Sequence, residues 1–173
     1  MIGQRIGQAF NEQIKHELES AYLYLAMSGY FLEQSLDGMA QWMRVQSQEE
    51  LAHAMRFFDH ISERGGSIAL APIDLLKQTW DSPLAAFEAA FEHEQFITGK
   101  IHGLVDLARE ERDHAAEIFL QWFVSEQVEE EASVSKVVDL LKRVGDSPQG
   151  LILADRELGA RPTADASTES ESE

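Results

Sequence analysis

The chain has no cysteine. This excludes disulfides, thiolate metal sites and cysteine nucleophiles together. Any metal must then be held by carboxylate, imidazole or amide groups, a set that suits iron, manganese, zinc or calcium. Proline is nearly as scarce, with four in 173 residues, at positions 72, 83, 148 and 162. Between them the sequence reads as helix. Positive charge is also sparse: 14 Lys and Arg stand against 31 Asp and Glu, giving a net charge of −17. That balance argues against nucleic acid and anionic membrane as partners and in favour of cations, although acidity by itself also serves solubility. No apolar run approaches the ~20 residues that span a bilayer. The opening Met1-Ile2-Gly3-Gln4-Arg5 lacks the apolar centre of a signal peptide. The expectation is a soluble, cytoplasmic protein, 44% hydrophobic, with one domain and a sizeable core.

What is present is helical periodicity. A first helix is expected from about Gly3 to Gln34, its inward stripe stepping through Phe10, Ile14, Glu17, Ala21, Tyr24, Ser28 and Phe31. Leu36-Asp37-Gly38 reads as a short turn, which favours an antiparallel neighbour. The second helix runs from about Met39 to Arg64, with Met39, Met43, Gln46, Glu50, His53 and Phe57 in line, and Gly65-Gly66 ends it. Ser67 to Trp80 is apolar without a period and contains Pro72; it reads as an ordered crossover lying along the bundle. Asp81-Ser82-Pro83 opens a third helix to about Arg112, whose stripe is Phe87, Ala90, Glu94, Ile97, Ile101, Leu104 and Ala108. After a brief break at Asp113-His114, a fourth runs to about Val144 with Ala116, Leu120, Phe123, Gln127, Glu130, Val134, Val137 and Leu141 in line. Gly145 to Pro148 is a further stop and start, and a short fifth helix follows from about Gln149 to Leu158. The fold expected is all-α: an antiparallel four-helix bundle with one long crossover and a short fifth C-terminal helix over residues 1–158. Residues 159–173 are expected to be a disordered acidic tail.

Polar groups of one kind interrupt all four apolar stripes near their middles: Glu17; Glu50 with His53; Glu94; and Gln127 with Glu130. Glu50 and His53 are three residues apart on a helix, hence neighbours on one face that can grip one ion together. A lone Glu-x-x-His is a common accident. Four acids, an imidazole and an amide on four separate seams are harder to dismiss, because without cations their desolvation and mutual repulsion would cost many kcal/mol. Glu17, Glu50 and Glu94 each lie roughly a dozen residues from a helix start, so at ~1.5 Å rise per residue they fall near one level. One histidine among several carboxylates is too hard a set for structural zinc and suits iron or manganese. Glu50 is best placed to bridge two ions.

These residues resemble the ferritin family, and more closely the bacterial non-haem ferritins, over about Gly3 to Leu158. The resemblance implies a ferroxidase (di-iron) centre. Its first iron site would be Glu17, Glu50 and His53, and its second Glu50, Glu94 and Glu130, with Gln127 on the oxygen-binding side. Tyr24 and Trp122 match aromatic residues near that centre, and Glu49, Glu126 and Glu129 match a third iron position. A solvated acidic helix face is the plainer reading of those last three. The pattern departs from bacterioferritins, which have Glu-x-x-His on the fourth helix and a haem-ligating methionine where this chain has Ala52. No haem is therefore expected, and Met27, Met43 and Met55 read as core or interface. Of the two acids lining the three-fold channels of animal ferritins, Glu117 matches one and Leu120 stands at the other. His16, His60, His93, His102 and His114 read as surface, interface or supporting groups.

The function implied is iron storage with ferroxidase activity. Iron(II) is oxidised by oxygen or peroxide and kept as a ferric mineral inside a homo-oligomeric cage of 24 subunits. The apolar surplus of the fifth helix, Leu151, Ile152, Leu153 and Leu158, fits a contact with copies of itself. Two alternatives stand beside this reading: a di-iron enzyme without storage, and a non-catalytic bundle with a degenerate site.

Overall fold

A computed structural model describes residues 1–74 and 78–162. Five helices account for most of them: α1 Gln4–Glu33, α2 Asp37–Glu63, α3 Pro83–Glu110, α4 His114–Val144 and α5 Pro148–Leu158. Each boundary falls within about two residues of the sequence expectation. The caps have identifiable causes. The Ser82 hydroxyl accepts from Ala85 N at 3.1 Å, and Pro83 follows it in the first turn of α3. Asp113 accepts from Ala116 N at 3.0 Å to start α4, and Ser147 accepts from Gly150 N at 3.1 Å to start α5. In each case a side-chain oxygen satisfies an amide that the helix itself leaves without a partner.

Side-chain pairs fix the topology. Short turns join α1 to α2 and α3 to α4, making two antiparallel hairpins. Arg5 of α1 reaches Glu110 and Glu111 at the end of α3, while Phe31 at the other end of α1 stacks near Phe87 at the start of α3. Those two helices are therefore antiparallel as well. The connection from α2 to α3 has to travel the length of the bundle, and it does so along α1. Ala69 N donates to the Asn11 side chain at 2.7 Å, Asp74 pairs with Lys15, and Trp80 packs edge-on against Tyr30. The expected crossover is ordered over its described residues; 75–77 lie outside them.

The stripes read from the sequence form the interior. Every residue named on the α2, α3 and α4 stripes is buried, and on α1 only Ala21 is partly exposed. The apolar core is split in two. One half contains Phe31, Met43, Phe87 and Leu141, and the other Phe10, Phe57, Ile101 and Phe123. Buried Glu17, Ser20, Gln46, Glu50, His53, Glu94, Gln127 and Glu130 lie between them.

α5 crosses the start of α2. Gly38, expected in a turn, is instead in the first helical turn of α2, where a β-carbon would stand 1.7 Å from the Asp155 carbonyl oxygen. The contact requires glycine on steric grounds alone. The Asp155 carboxylate accepts from Met39 N at 2.8 Å, supplying a cap that Leu36 cannot give. Residues 159–162 continue from α5 along the bundle, and Arg161 is seated on α2. The remainder of the expected tail, 163–173, lies outside the described residues.

Candidate metal centre

The buried polar layer draws at least one group from each long helix. The i,i+3 spacing on α2 brings His53 Nδ1 to 3.4 Å from Glu50 Oε2. Glu17 joins them from α1, and one ligand atom from each of Glu17, Glu50 and His53 lies within 4.8 Å of the others. Glu17 accepts from Gln13 Nε2 at 2.9 Å through one oxygen; its other oxygen, Oε2, is buried without a partner. A bare carboxylate oxygen in an apolar interior is costly and calls for a cation or a proton.

Glu94 and Glu130 are turned to hydrogen-bond donors. The Tyr24 hydroxyl donates to Glu94 Oε1, and Gln127 Nε2 donates to Glu94 Oε2 at 3.2 Å. Gln46 Nε2 donates to Glu130 Oε2. Among the described residues, the one other set of ligand atoms that closes within 4.8 Å is His53, Glu126 and Glu130. Thus Glu50, Glu94 and Glu130 share the layer without closing into a single three-ligand set. Glu126, expected at a third position with Glu49 and Glu129, also reaches the layer.

The electrostatics fit a cation site. Burial raises Glu17 well above the ordinary carboxylate range, and neighbouring Glu50 adds to the effect. Burial also raises Glu50 well above that range, followed by repulsion from Glu94 and Glu130. Glu94 is raised by burial and partly rescued by its bonds to Tyr24 and Gln127. Glu130 is pushed up to about 8 by burial and by Glu94. Four carboxylates cannot all be ionised in so small a dry volume unless positive charge joins them. Tyr24 is held well above 10 by burial and by Glu94, so it remains a phenol and a donor.

Other groups surround the layer, and two of them, Gln13 and Gln46, carry no role in the sequence reading. Gln13 and Gln46 orient Glu17 and Glu130. Their i,i+4 spacing from Glu17 and Glu50 is the signal the sequence offers. His93 Nε2 lies 2.7 Å from Ser20 Oγ, and its ring is edge-on to Tyr24. Burial lowers this histidine to about 4, so it is neutral. Trp122 lies edge-on to His53 at 5.4 Å between ring centres, and the Arg56 guanidinium covers its ring at 3.7 Å. His102 and His114 are exposed, whereas His60 is half-buried and stacked on Phe119. Leu120 is fully buried, so position 120 faces the core and cannot line a channel. Glu49, Glu126, Glu129 and Glu130 line a cavity of about 400 Å³ that Lys136 and Arg161 also border.

The ferritin-like domain family matches residues 7–144. A bacterial non-heme ferritin from Bacteroides fragilis is 45% identical over 161 residues, covering 93% of this chain and all of the relative. Another from Staphylococcus saprophyticus is 37% identical, covering 93% of this chain and 96% of the relative. Among solved structures, an open pore ferritin from the hyperthermophilic archaeon Archaeoglobus fulgidus superposes with a TM-score of 0.93 at 49% identity. That match covers 94% of this chain and 100% of the other. An engineered closed form of the same archaeal protein gives a TM-score of 0.94 at 48% identity, covering 95% and 100%.

Proposed function

The chain belongs to the ferritin family, and on that premise we propose that it is an iron-storing ferroxidase. Iron(II) is its substrate, two ions being taken at the buried layer. The observation that carries this reading is the convergence of Glu17, Glu50, His53, Glu94, Gln127 and Glu130 from four helices, with a carboxylate oxygen of Glu17 left without a partner.

Glu17 and His53 hold one ion, Glu94 and Glu130 the other, and Glu50 lies between them. Each ion gives up one electron. Dioxygen with two protons takes the pair and leaves as hydrogen peroxide; peroxide with two protons takes it and leaves as two waters. The raised carboxylates bind protons when no cation is present, so iron uptake expels protons from the layer. Tyr24, a phenol at neutral pH, orients Glu94, and Gln127 restrains the same carboxylate from α4. Glu49, Glu126 and Glu129 form a third position on the way out.

One bundle encloses no volume, so storage requires assembly of several copies, and membership of the ferritin family supports a cage of 24. Ile152 and Leu153 on α5 and Tyr22, Leu25 and Leu32 on α1 are exposed apolar groups that suit contacts between copies. No described helix is long and apolar enough to cross a membrane.

The test is the initial rate of oxygen uptake after adding two iron(II) ions per chain. Glu50→Ala is expected to slow it by roughly 100-fold, since it removes a ligand shared by both ions, and Glu129→Ala by no more than about threefold. Equal rates in the two variants would contradict the assignment.

A further inference from the structure

We propose that Arg161 is a gate on the acidic outlet of the metal centre: its guanidinium occupies the place of a cation at Glu49, and a metal ion enters the outlet only as the arginine leaves. The inference rests on reading the buried layer as a paired cation centre.

The placement begins in α5. Gly159 sits against Gly38, Asp155 caps Met39, and Ala154 and Leu158 are buried. Those contacts fix where the chain leaves α5, and Arg161 follows three residues after Leu158. Trp42, Gln46 and Glu49 lie on one face of α2 at the helical spacing of four and three. Arg161 binds all three. Its guanidinium carbon stands 4.6 Å from the centre of the Trp42 ring, Nη1 donates to Gln46 Oε1 at 2.8 Å, and Nη2 pairs with Glu49 Oε2. The side chain is only 20% exposed. A flat cation with several donors fixed in a fork is pre-organised to stack on Trp42 while binding the other two partners.

Two consequences follow. First, Arg161 neutralises Glu49 on the wall of the cavity that Glu126, Glu129 and Glu130 also line. A metal ion entering there meets a permanent positive charge at close range and competes for the same carboxylate. Second, Gln46 links the gate to the centre. Its oxygen accepts from Arg161 while its nitrogen donates to Glu130. Departure of the arginine frees the Gln46 amide, and with it the group that holds Glu130 toward α2.

Zinc(II), which does not change oxidation state, reports the binding without oxidation chemistry. The full-length protein and its Arg161→Gln variant are titrated by calorimetry and the ions bound per chain counted. The first two ions are expected to bind both proteins within about threefold. The third is expected to bind Arg161→Gln at least roughly tenfold tighter. That gain is expected to disappear in Arg161→Gln/Glu49→Gln, which locates it at the outlet. A third-ion affinity unchanged or weaker in Arg161→Gln overturns the gate and leaves Arg161 as a strut for the C-terminal segment. A gain that survives Glu49→Gln overturns it too, as an effect of overall charge. Binding of fewer than two ions to the unaltered protein contradicts the paired centre itself, and the gate with it.

Discussion

Glu130 keeps its proton up to about pH 8 because burial and neighbouring Glu94 both oppose a charge there. The same carboxylate in an unfolded chain titrates near the ordinary 4.5. Between these values unfolding releases protons, so rising pH favours the unfolded chain. Glu17, Glu50 and Glu94 are raised as well and act in the same direction. Metal-free protein is therefore expected to lose stability as pH rises from about 5 to about 8, by an amount on the order of a few kcal/mol. Added zinc(II) should raise the melting temperature most at the upper end of that range. Thermal unfolding at several pH values, with and without zinc, checks both; a metal-free melting temperature that climbs steadily to pH 8 would count against the layer. The supporting amides can be tested separately. Gln46→Leu removes the donor to Glu130 while nearly keeping the volume, and it should slow initial iron(II) oxidation about threefold to tenfold without lowering the helix content measured by circular dichroism. The buried acids of the layer were legible in the sequence because an acid on an apolar helical stripe is a conspicuous violation. Their supports were less so, since a glutamine on a stripe carries no charge to draw notice. Arg161 was hidden more deeply. It stands in a stretch that reads as the start of an acidic tail, and only the crossing of α5 over α2 brings it to Glu49.

The elements were legible because their periodicity is strong and their punctuation rare. On α3 and α4 every stripe residue read from the sequence is buried, and Pro83 and Pro148 mark the helix starts they were expected to mark. Gly38 was misplaced for a physical reason. Glycine after a break usually signals a turn, whereas here it removes a side chain so that another backbone can approach. A β-carbon at that point cannot be absorbed by a flexible neighbour, because what it meets is the Asp155 backbone. Gly38→Val should therefore lift α5 from α2 and lower stability by about 2 kcal/mol or more. Asp155→Ala, which loses only the cap on Met39, should cost about 1 kcal/mol. Denaturant unfolding compares the two; a larger loss from Asp155→Ala would contradict the steric account of the crossing.

At the scale of the whole molecule, the fold leaves apolar side chains where one bundle has no use for them. Ile152 and Leu153 of α5 are more than half exposed, although Ala154 and Leu158 of the same helix are buried. Removing residues from Gly145 onward should leave the four long helices folded but weaken or open the assembly. Analytical ultracentrifugation of the truncated protein reads this directly, and a closed particle that still retains mineral would contradict the role given to α5. How copies would meet was the least legible property, because exposed leucines and isoleucines in one chain do not say which surface of another would cover them. The buried layer is proposed to oxidise iron, and the assembled chain to keep it. Sedimentation of the full-length protein after aerobic loading with iron(II) tests both parts together. The predicted result is one particle of hundreds of kilodaltons, built from this 19.5 kDa chain, with ferric iron sedimenting inside it. A monomer or dimer with the iron left in solution would contradict the claim.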